Sequence, residues 1–203
     1  MSADKQLEVE VKFLVADLPA FRERLLAAGG TLQKERVFER NVRFDTPDNA
    51  LLKKGELLRL RQDAAIRITF KGEVAETLTS EAKVREEMEV SVSDFDTTAQ
   101  IFERLGFAPV QVYEKYRETF LLDSVEVVLD EMPYGNFVEL EGEEAAIKTA
   151  AAALGLAWSK RITNNYLGLM ADLKQFHQLD FDDVTFANFK GRGISVGDML
   201  AAT

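Results

Sequence analysis

Glu8, Glu10 and Lys12 alternate with apolar residues in the segment Leu7-Glu8-Val9-Glu10-Val11-Lys12-Phe13. That period is the period of a β-strand, in which successive side chains point to opposite faces. Two carboxylates and an ammonium therefore share one face, with alternate residues roughly 6–7 Å apart. At that spacing the carboxylates can converge on one hard cation. The ammonium beside them can meet an anion that the cation carries.

The same alternation recurs along the chain. Arg59 and Arg61 share a face between Leu57 and Arg61, as do Arg67, Thr69 and Lys71 between Ile66 and Lys71. From Lys83 to Val92, one face carries Lys83, Arg85, Glu87, Glu89 and Ser91. Lys115, Arg117 and Thr119 line up between Tyr113 and Phe120. Val125 to Asp130 is an apolar run that ends in a carboxylate, and Glu139 and Glu141 flank Leu140.

Composition narrows what these charges can do. The chain has 203 residues, 46% apolar and 30% charged, which suits one globular domain with a sizeable core. Its formal net charge of -10 argues against binding a nucleic acid duplex through a basic surface. It has no cysteine and one histidine, His177, so a metal would have to be held by carboxylates. Carboxylate ligation favours Mg2+ or Mn2+ over Ca2+. The N-terminus has no signal-type apolar run and nothing approaches the length of a membrane span, which predicts a cytoplasmic protein with no membrane partner.

Helical patterns must position these strands. Asp17-Leu18-Pro19 offers a cap and a proline in the first turn, and Gly29-Gly30 ends the stripe of Phe21, Leu25 and Leu26. Further helices are predicted from Asp94 or Asp96 to Leu105, from Glu143 to Leu154, and from about Thr163 to Gln178. A weak repeat relates Glu8-Val9-Glu10, with the helix, glycine and strand reaching Asp45, to Glu87-Met88-Glu89 and the similar run reaching Asp123. It suggests two halves of one sheet. Residues 179–203 differ in character and read as an appendage of unassigned role packed on a domain of residues 1–178.

A strand with one charged face normally turns it to water. Here the bases cluster on some strands and paired acids on others, and the helices need an apolar surface to cover. If the helices cover the outside of a rolled sheet, the charged face lines its interior. A barrel of about eight strands encloses side chains or one small ligand. Its lumen would be a polar tunnel with acidic and basic walls. Buried positive groups need a compensating anion, and opposed arrays of this kind suit a chain of phosphates bridged by Mg2+ or Mn2+. Phosphoryl transfer needs mainly positioning and charge neutralisation.

The motifs resemble those of the CYTH, or triphosphate tunnel metalloenzyme, superfamily. The E-x-E-x-K strand is Glu8, Glu10 and Lys12. It is followed by Phe44-Asp45-Thr46-Pro47-Asp48, Leu58-Arg59-Leu60-Arg61 and Thr69-Phe70-Lys71-Gly72. Then come Arg85-Glu86-Glu87-Met88-Glu89, Lys115 with Arg117, and Asp130, Gly135, Phe137, Glu139 and Glu141. The resemblance covers about residues 5 to 175. It departs at Arg43, where the family often has tyrosine, and at Asn165-Tyr166, which stands for an S-Y-like element.

The resemblance implies an α+β fold, an antiparallel eight-stranded β-barrel forming a triphosphate tunnel with helices packed outside. It implies metal ligation by Glu8, Glu10, Glu139 and Glu141, with Asp130 as a further ligand. It assigns phosphate contacts to Lys12, Arg59, Arg61, Lys71, Arg85, Lys115 and Arg117. Glu10 and Lys12 would be catalytic, with Lys12 touching phosphate or orienting or deprotonating the attacking group. Glu87 and Glu89 would support the bases or reach the metal through water. The plainer roles go elsewhere. Asp45 and Asp48 shape the Thr46-Pro47 turn, Tyr113, Tyr116 and Phe120 pack the strand, Trp158 joins the core, and His177 is an exposed residue near a helix end.

The expected function is a divalent-metal-dependent hydrolase of inorganic triphosphate or nucleoside triphosphates. The alternatives are a class IV adenylyl cyclase, making cyclic AMP and pyrophosphate from ATP, and a non-catalytic polyphosphate or nucleotide-binding module. The expected partner is a small triphosphate or nucleotide, and a homodimer is compatible with the sequence.

Overall fold

The computed structural model describes residues 7–72 and 80–202. Among these, eight strands are β1 (Leu7–Val15), β2 (Thr31–Asp45), β3 (Leu57–Gln62), β4 (Ile66–Gly72), β5 (Lys83–Val92), β6 (Ala108–Leu122), β7 (Val125–Met132) and β8 (Gly135–Glu141). They close into a barrel in the order β1-β5-β4-β3-β2-β6-β7-β8, with β8 returning to β1. Every pair in the ring is antiparallel. Closure leaves no free sheet edge where neighbouring strands match in length.

The helices are α1 (Leu18–Ala27), α2 (Ala50–Lys53), α3 (Phe95–Arg104), α4 (Glu144–Ala153), α5 (Tyr166–His177), α6 (Phe186–Phe189) and α7 (Val196–Ala202). Local chemistry sets their ends. Asp17 caps α1 by accepting from the Ala20 amide, and Asp94 caps α3 by accepting from that of Thr97. Gly29 and Gly106, with φ of 96° and 93°, turn the chain out of α1 and α3 in a backbone region that favours glycine. Helix α5 starts at Tyr166, later than the pattern suggested, because Asn165 caps it through the Gly168 amide.

The apolar faces of the strands point outward and are buried beneath these helices over much of the barrel, although Met88 and Val90 of β5 stay exposed. Val11, Val127 and Leu140 pack with Phe21 and Leu25 of α1 and Ile147 of α4. Val42, Phe44 and Leu60 pack with Phe102 of α3. The charged faces consequently line the lumen, as the amphipathic pattern requires. Trp158 packs half-buried at the edge of the first cluster.

A third cluster closes one end of the barrel. It joins Tyr134 and Phe137 to Tyr166, Leu169 and Leu173 of α5, and to Val184, Phe189, Val196 and Met199 of the C-terminal tail. The tail therefore contributes fully buried side chains to the core.

Asp45 organises the turn that begins where β2 ends. Its carboxylate accepts from the backbone amides of Thr46, Leu51 and Leu52, and so builds the start of α2. Asp48 holds the Thr46 hydroxyl at 2.7 Å. Three charge-assisted bonds to a fully buried carboxylate predict that Asp45→Ala destabilises the fold by roughly 2–4 kcal/mol. Urea denaturation of the purified variant checks this, and an unchanged midpoint would contradict it.

Candidate active site

The cross-strand register decides which charges meet. Six lumenal pairs set acid opposite base: Glu8 with Arg85, Glu10 with Lys83, Lys12 with Glu139, Lys71 with Glu87, Glu39 with Lys115, and Arg117 with Asp130. Four pairs break the rule. Glu141 faces Glu10 on one side and Glu126 on the other, while Arg43 faces Arg59 and Arg61 faces Arg67. Like charges directly opposite each other are destabilising. The exceptions set acid beside acid on β1, β8 and β7 and base beside base on β2, β3 and β4, where Arg61 and Arg67 turn to Glu89 instead.

The acidic wall converges. One carboxylate oxygen from each of Glu8, Glu10 and Glu141 lies within 4.8 Å of the others. Burial raises the Glu141 carboxyl to about 8, with Glu139, Glu8 and Glu10 adding to the effect. Burial likewise raises Glu8 to about 6, despite the Lys71 ammonium at 2.6 Å. Glu10 is also desolvated, yet Lys12, Lys71 and Lys83 hold it below the usual carboxylate range. Glu8 and Glu10 meet lysines whereas Glu141 faces two carboxylates, and the three together suit a hard dication, which would hold all of them ionised.

The basic wall is braced from within. Arg59 donates to the Tyr113 hydroxyl at 3.1 Å and to Thr69 at 2.9 Å. Arg61 pairs with Glu89 at 2.8 Å, and Lys71 with Glu87 at 3.1 Å. Arg85 lies in the same lumen and donates to the carbonyls of Gly55 and Lys71. Between the walls lies a cavity of about 270 Å³.

Lys12 and Glu139 sit deep in this cavity. The Lys12 ammonium lies 3.5 Å from Glu10 and 3.4 Å from Glu139. Burial opposes its charge, but the two carboxylates outweigh that and hold its pKa above the ordinary lysine value. A lysine held in this way keeps its proton, which argues against a deprotonating role. Glu139 is desolvated too, but Lys12, Arg117 and Lys115 keep it well ionised.

The structure places Asp130 apart from the acidic trio. Its carboxylate receives Lys115 at 2.9 Å, Arg117 at 2.6 Å and the Tyr166 hydroxyl at 2.8 Å. It is fully buried and already fully bonded. The register explains this, since Asp130 faces Arg117 across one ladder and Phe137 across the other. The expected carboxylate set thus divides into Glu8, Glu10 and Glu141, which come together, and Glu139 and Asp130, which hold bases.

Several lumenal residues carried no role in the sequence reading. Glu39 lies between Arg61 and Lys115 at 3.7 Å from each, and these bases hold its carboxyl down at about 2 although burial pushes it up. Lys83 approaches Glu10 at 3.4 Å, and Arg67 approaches Glu89 at 3.6 Å. Both stand on faces whose alternation was visible, so parity alone could have found them. Tyr113 points inward and Tyr116 outward, against Phe38 and Phe186. Tyr166 closes the far end, its ring 5.2 Å from the Lys12 ammonium and 5.3 Å from that of Lys115.

A closed antiparallel barrel with one acidic and one basic lumenal wall defines the class. The chain belongs to the CYTH domain family, whose profile matches residues 6–162. A Methanocaldococcus jannaschii protein provisionally named an adenylate cyclase is 32% identical over 137 residues, covering 66% of this chain and 76% of that protein. Adenylate cyclase CyaB of Aeromonas hydrophila is 27% identical over 175 residues, covering 79% of this chain and 87% of its own length. Among solved structures, a Vibrio parahaemolyticus protein also provisionally named an adenylate cyclase superposes with a TM-score of 0.71 at 21% identity. That match covers 80% of this chain and 97% of the Vibrio one. No helix among the described residues is long and apolar enough to cross a membrane.

The raised carboxyls make a pH prediction. Glu141 and Glu8 ionise in the unfolded chain near 4.5 but stay protonated in the metal-free fold up to about 8 and about 6. The folded state then binds more protons, so these groups lower stability as pH rises through that window, by at most about 1.4 kcal/mol per pH unit each. Glu10, Glu39 and Glu139 have depressed values, so their contribution is already complete above about pH 5 and is lost only on acidification. In EDTA, Glu141→Gln should therefore raise Tm at pH 8 more than at pH 5. Parallel Tm profiles for wild type and variant would contradict the burial of an uncompensated charge.

Proposed function

We propose that this protein is a divalent-metal-dependent hydrolase acting on inorganic triphosphate or nucleoside triphosphates. The observation that supports this most directly is the segregation of like charges to opposite walls of one lumen. Glu8, Glu10 and Glu141 converge on one wall, and Arg59 and Arg61 stand among like charges on the other. A simple anion-binding module would need the basic wall but not the acidic one.

Glu8, Glu10 and Glu141 are the residues that would hold Mg2+ or Mn2+. The ion would supply positive charge against the phosphate oxygens and a template for the attacking water. Arg59, Arg61, Lys71, Arg85, Lys115 and Arg117 bind the phosphate chain and neutralise charge as it moves to the leaving group. Lys12 acts as a fixed ammonium beside that chain and keeps its proton. Glu89 anchors Arg61 and Arg59, Glu87 shares Lys71 with Glu8, and Asp130 holds Lys115 and Arg117, which fixes these bases before substrate arrives. Water is the nucleophile, and the lumen positions it rather than activating a side chain.

A second reading is an adenylyl cyclase, favoured by the names of the two relatives at 32% and 27% identity. It would use the same walls, with the ribose 3'-hydroxyl attacking the α-phosphorus and pyrophosphate leaving. The lumen favours hydrolysis, because its lining is almost wholly charged and its tyrosines, Tyr113 and Tyr166, are already engaged with Arg59 and Asp130.

Incubating the protein with Mn2+ or Mg2+ and either inorganic triphosphate or ATP distinguishes the two readings. Hydrolysis releases phosphate with pyrophosphate from inorganic triphosphate, or phosphate with ADP from ATP, and no cyclic AMP, whereas cyclic AMP with pyrophosphate from ATP would replace the first reading by the second. Glu141→Gln should cut metal-dependent turnover by about 100-fold or more while the metal-free fold becomes more stable. Full activity in that variant would remove Glu141 from the metal site. Arg59→Ala should weaken triphosphate binding more than monophosphate binding, and equal losses would make Arg59 structural.

A further inference from the structure

Strand β6 runs 15 residues and its neighbour β7 only 8. Pairing with β7 begins at Tyr116, so the β7-side edge of residues 111–114 is left without a strand partner. Unpaired backbone groups at a buried edge are costly. The C-terminal tail covers them. The Val184 amide donates to the Val112 carbonyl at 2.8 Å, and the Glu114 amide donates to the Val184 carbonyl at 2.8 Å. The Asp183 carboxylate accepts from the Val112 amide at 2.7 Å, and the Glu114 carboxylate accepts from the Phe186 amide at 3.0 Å. Val184 itself is fully buried.

The covered residues lead into the lumen. Tyr113 forms a parallel bridge with Val184, and its hydroxyl receives Arg59. The tail makes a second connection, because the Val196 amide donates to the Tyr134 carbonyl at 2.9 Å. The Tyr134 hydroxyl donates to the Tyr166 carbonyl, and the Tyr166 hydroxyl donates to Asp130, which holds Lys115 and Arg117. The Phe189 ring packs on that of Tyr134 at 5.9 Å. The family profile matches residues 6–162, and the tail lies outside that match.

We propose that residues 182–196 brace the floor of the tunnel, and that Val184, Tyr113 and Tyr134 are positioning residues for the phosphate-binding bases. The brace acts through Tyr113 on Arg59 and through Tyr134 and Tyr166 on Lys115 and Arg117. This inference rests on the triphosphate reading of the same lumen. It predicts that backbone pairing at Val184, beyond its side-chain packing, sets affinity for the phosphate chain.

The test is calorimetric binding of inorganic triphosphate with Mg2+ to the full chain, together with Tm. Val184→Pro removes the amide that donates to Val112, whereas Val184→Ala keeps both backbone bonds and loses only packing. Val184→Pro should weaken binding about tenfold, while Val184→Ala lowers Tm yet binds within about twofold of wild type. Tyr113→Phe deletes only the hydroxyl that orients Arg59. It should weaken binding about five- to tenfold with little change in Tm, and raise KM more than it lowers kcat. If Val184→Pro does not fold, Asp183→Ala, which removes the tail's acceptor for the Val112 amide, carries the tail's part of the test beside Tyr113→Phe: it should weaken binding severalfold, and unchanged binding would overturn the brace. Equal binding by wild type and Tyr113→Phe would overturn the proposal, as would equal losses in the two Val184 variants. A wild type that does not bind triphosphate would instead overturn the reading of the lumen, and the brace with it.

Discussion

The fold depends on charge compensation across the strand ladders. A lumen carrying this many ionised groups would not close if the register placed them at random, because a buried charge without a partner costs several kcal/mol. Six of the facing lumenal pairs oppose acid to base, and the deepest groups are doubly served. Lys12 lies between Glu10 and Glu139, and Asp130 takes Lys115, Arg117 and Tyr166. Such pairs are weak evidence for stability but strong constraints on arrangement. A one-residue slip in any strand would turn its charges into the apolar shell and its valines into the lumen.

The same accounting locates the site. Where pairing is complete, as at Asp130, the carboxylate is saturated by Lys115, Arg117 and Tyr166 and holds those bases in place. Where like charges face each other, at Glu141 beside Glu10 and Glu126, the protein carries charge that a bound molecule can satisfy, while Arg59 and Arg61 share Glu89 between them. On the proposed reading, function and electrostatic strain share positions. Neutralising Glu141 would relieve the metal-free fold and remove a ligand in one step, which is a stability–activity trade of the usual kind.

Much of this was legible in the sequence, because a strand's period assigns each side chain to a face. The lumenal placement of Glu8, Glu10, Lys12, Arg59, Arg61 and Lys71 follows from parity once helices are known to need the other face. What parity does not carry is the pairing of one strand with the next. Asp130 has the right face and the right residue type for a metal ligand, yet its neighbour across β6 is Arg117. Glu39 escaped notice because β2 carries register shifts around Lys34 and Val37 that break its alternation. The tail has no clear period, since it meets β6 through a single bridge at Val184 and packs otherwise by scattered aromatic residues.

The two ends of the barrel differ, and the difference bears on what can enter. The far end is closed by Phe137, Tyr134 and Tyr166, packed over tail residues that exclude water. Lys12, Lys115 and Glu139, nearest that floor, are at most 3% exposed. The near end is open and lies at the N-termini of β1, β2, β4 and β7 and the C-termini of their antiparallel neighbours. Its rim is acidic along Glu89, Glu8, Glu141 and Glu126 and basic along Arg67, Arg61 and Lys34. A bare polyanion approaching such a mouth is attracted by one rim and repelled by the other, on a chain whose net charge is already -10. A polyanion that carries a dication matches both rims at once. Under the triphosphate reading proposed above, these rims would admit a metal-complexed phosphate chain in preference to the free anion, through the like charges that the fold gathers at its mouth.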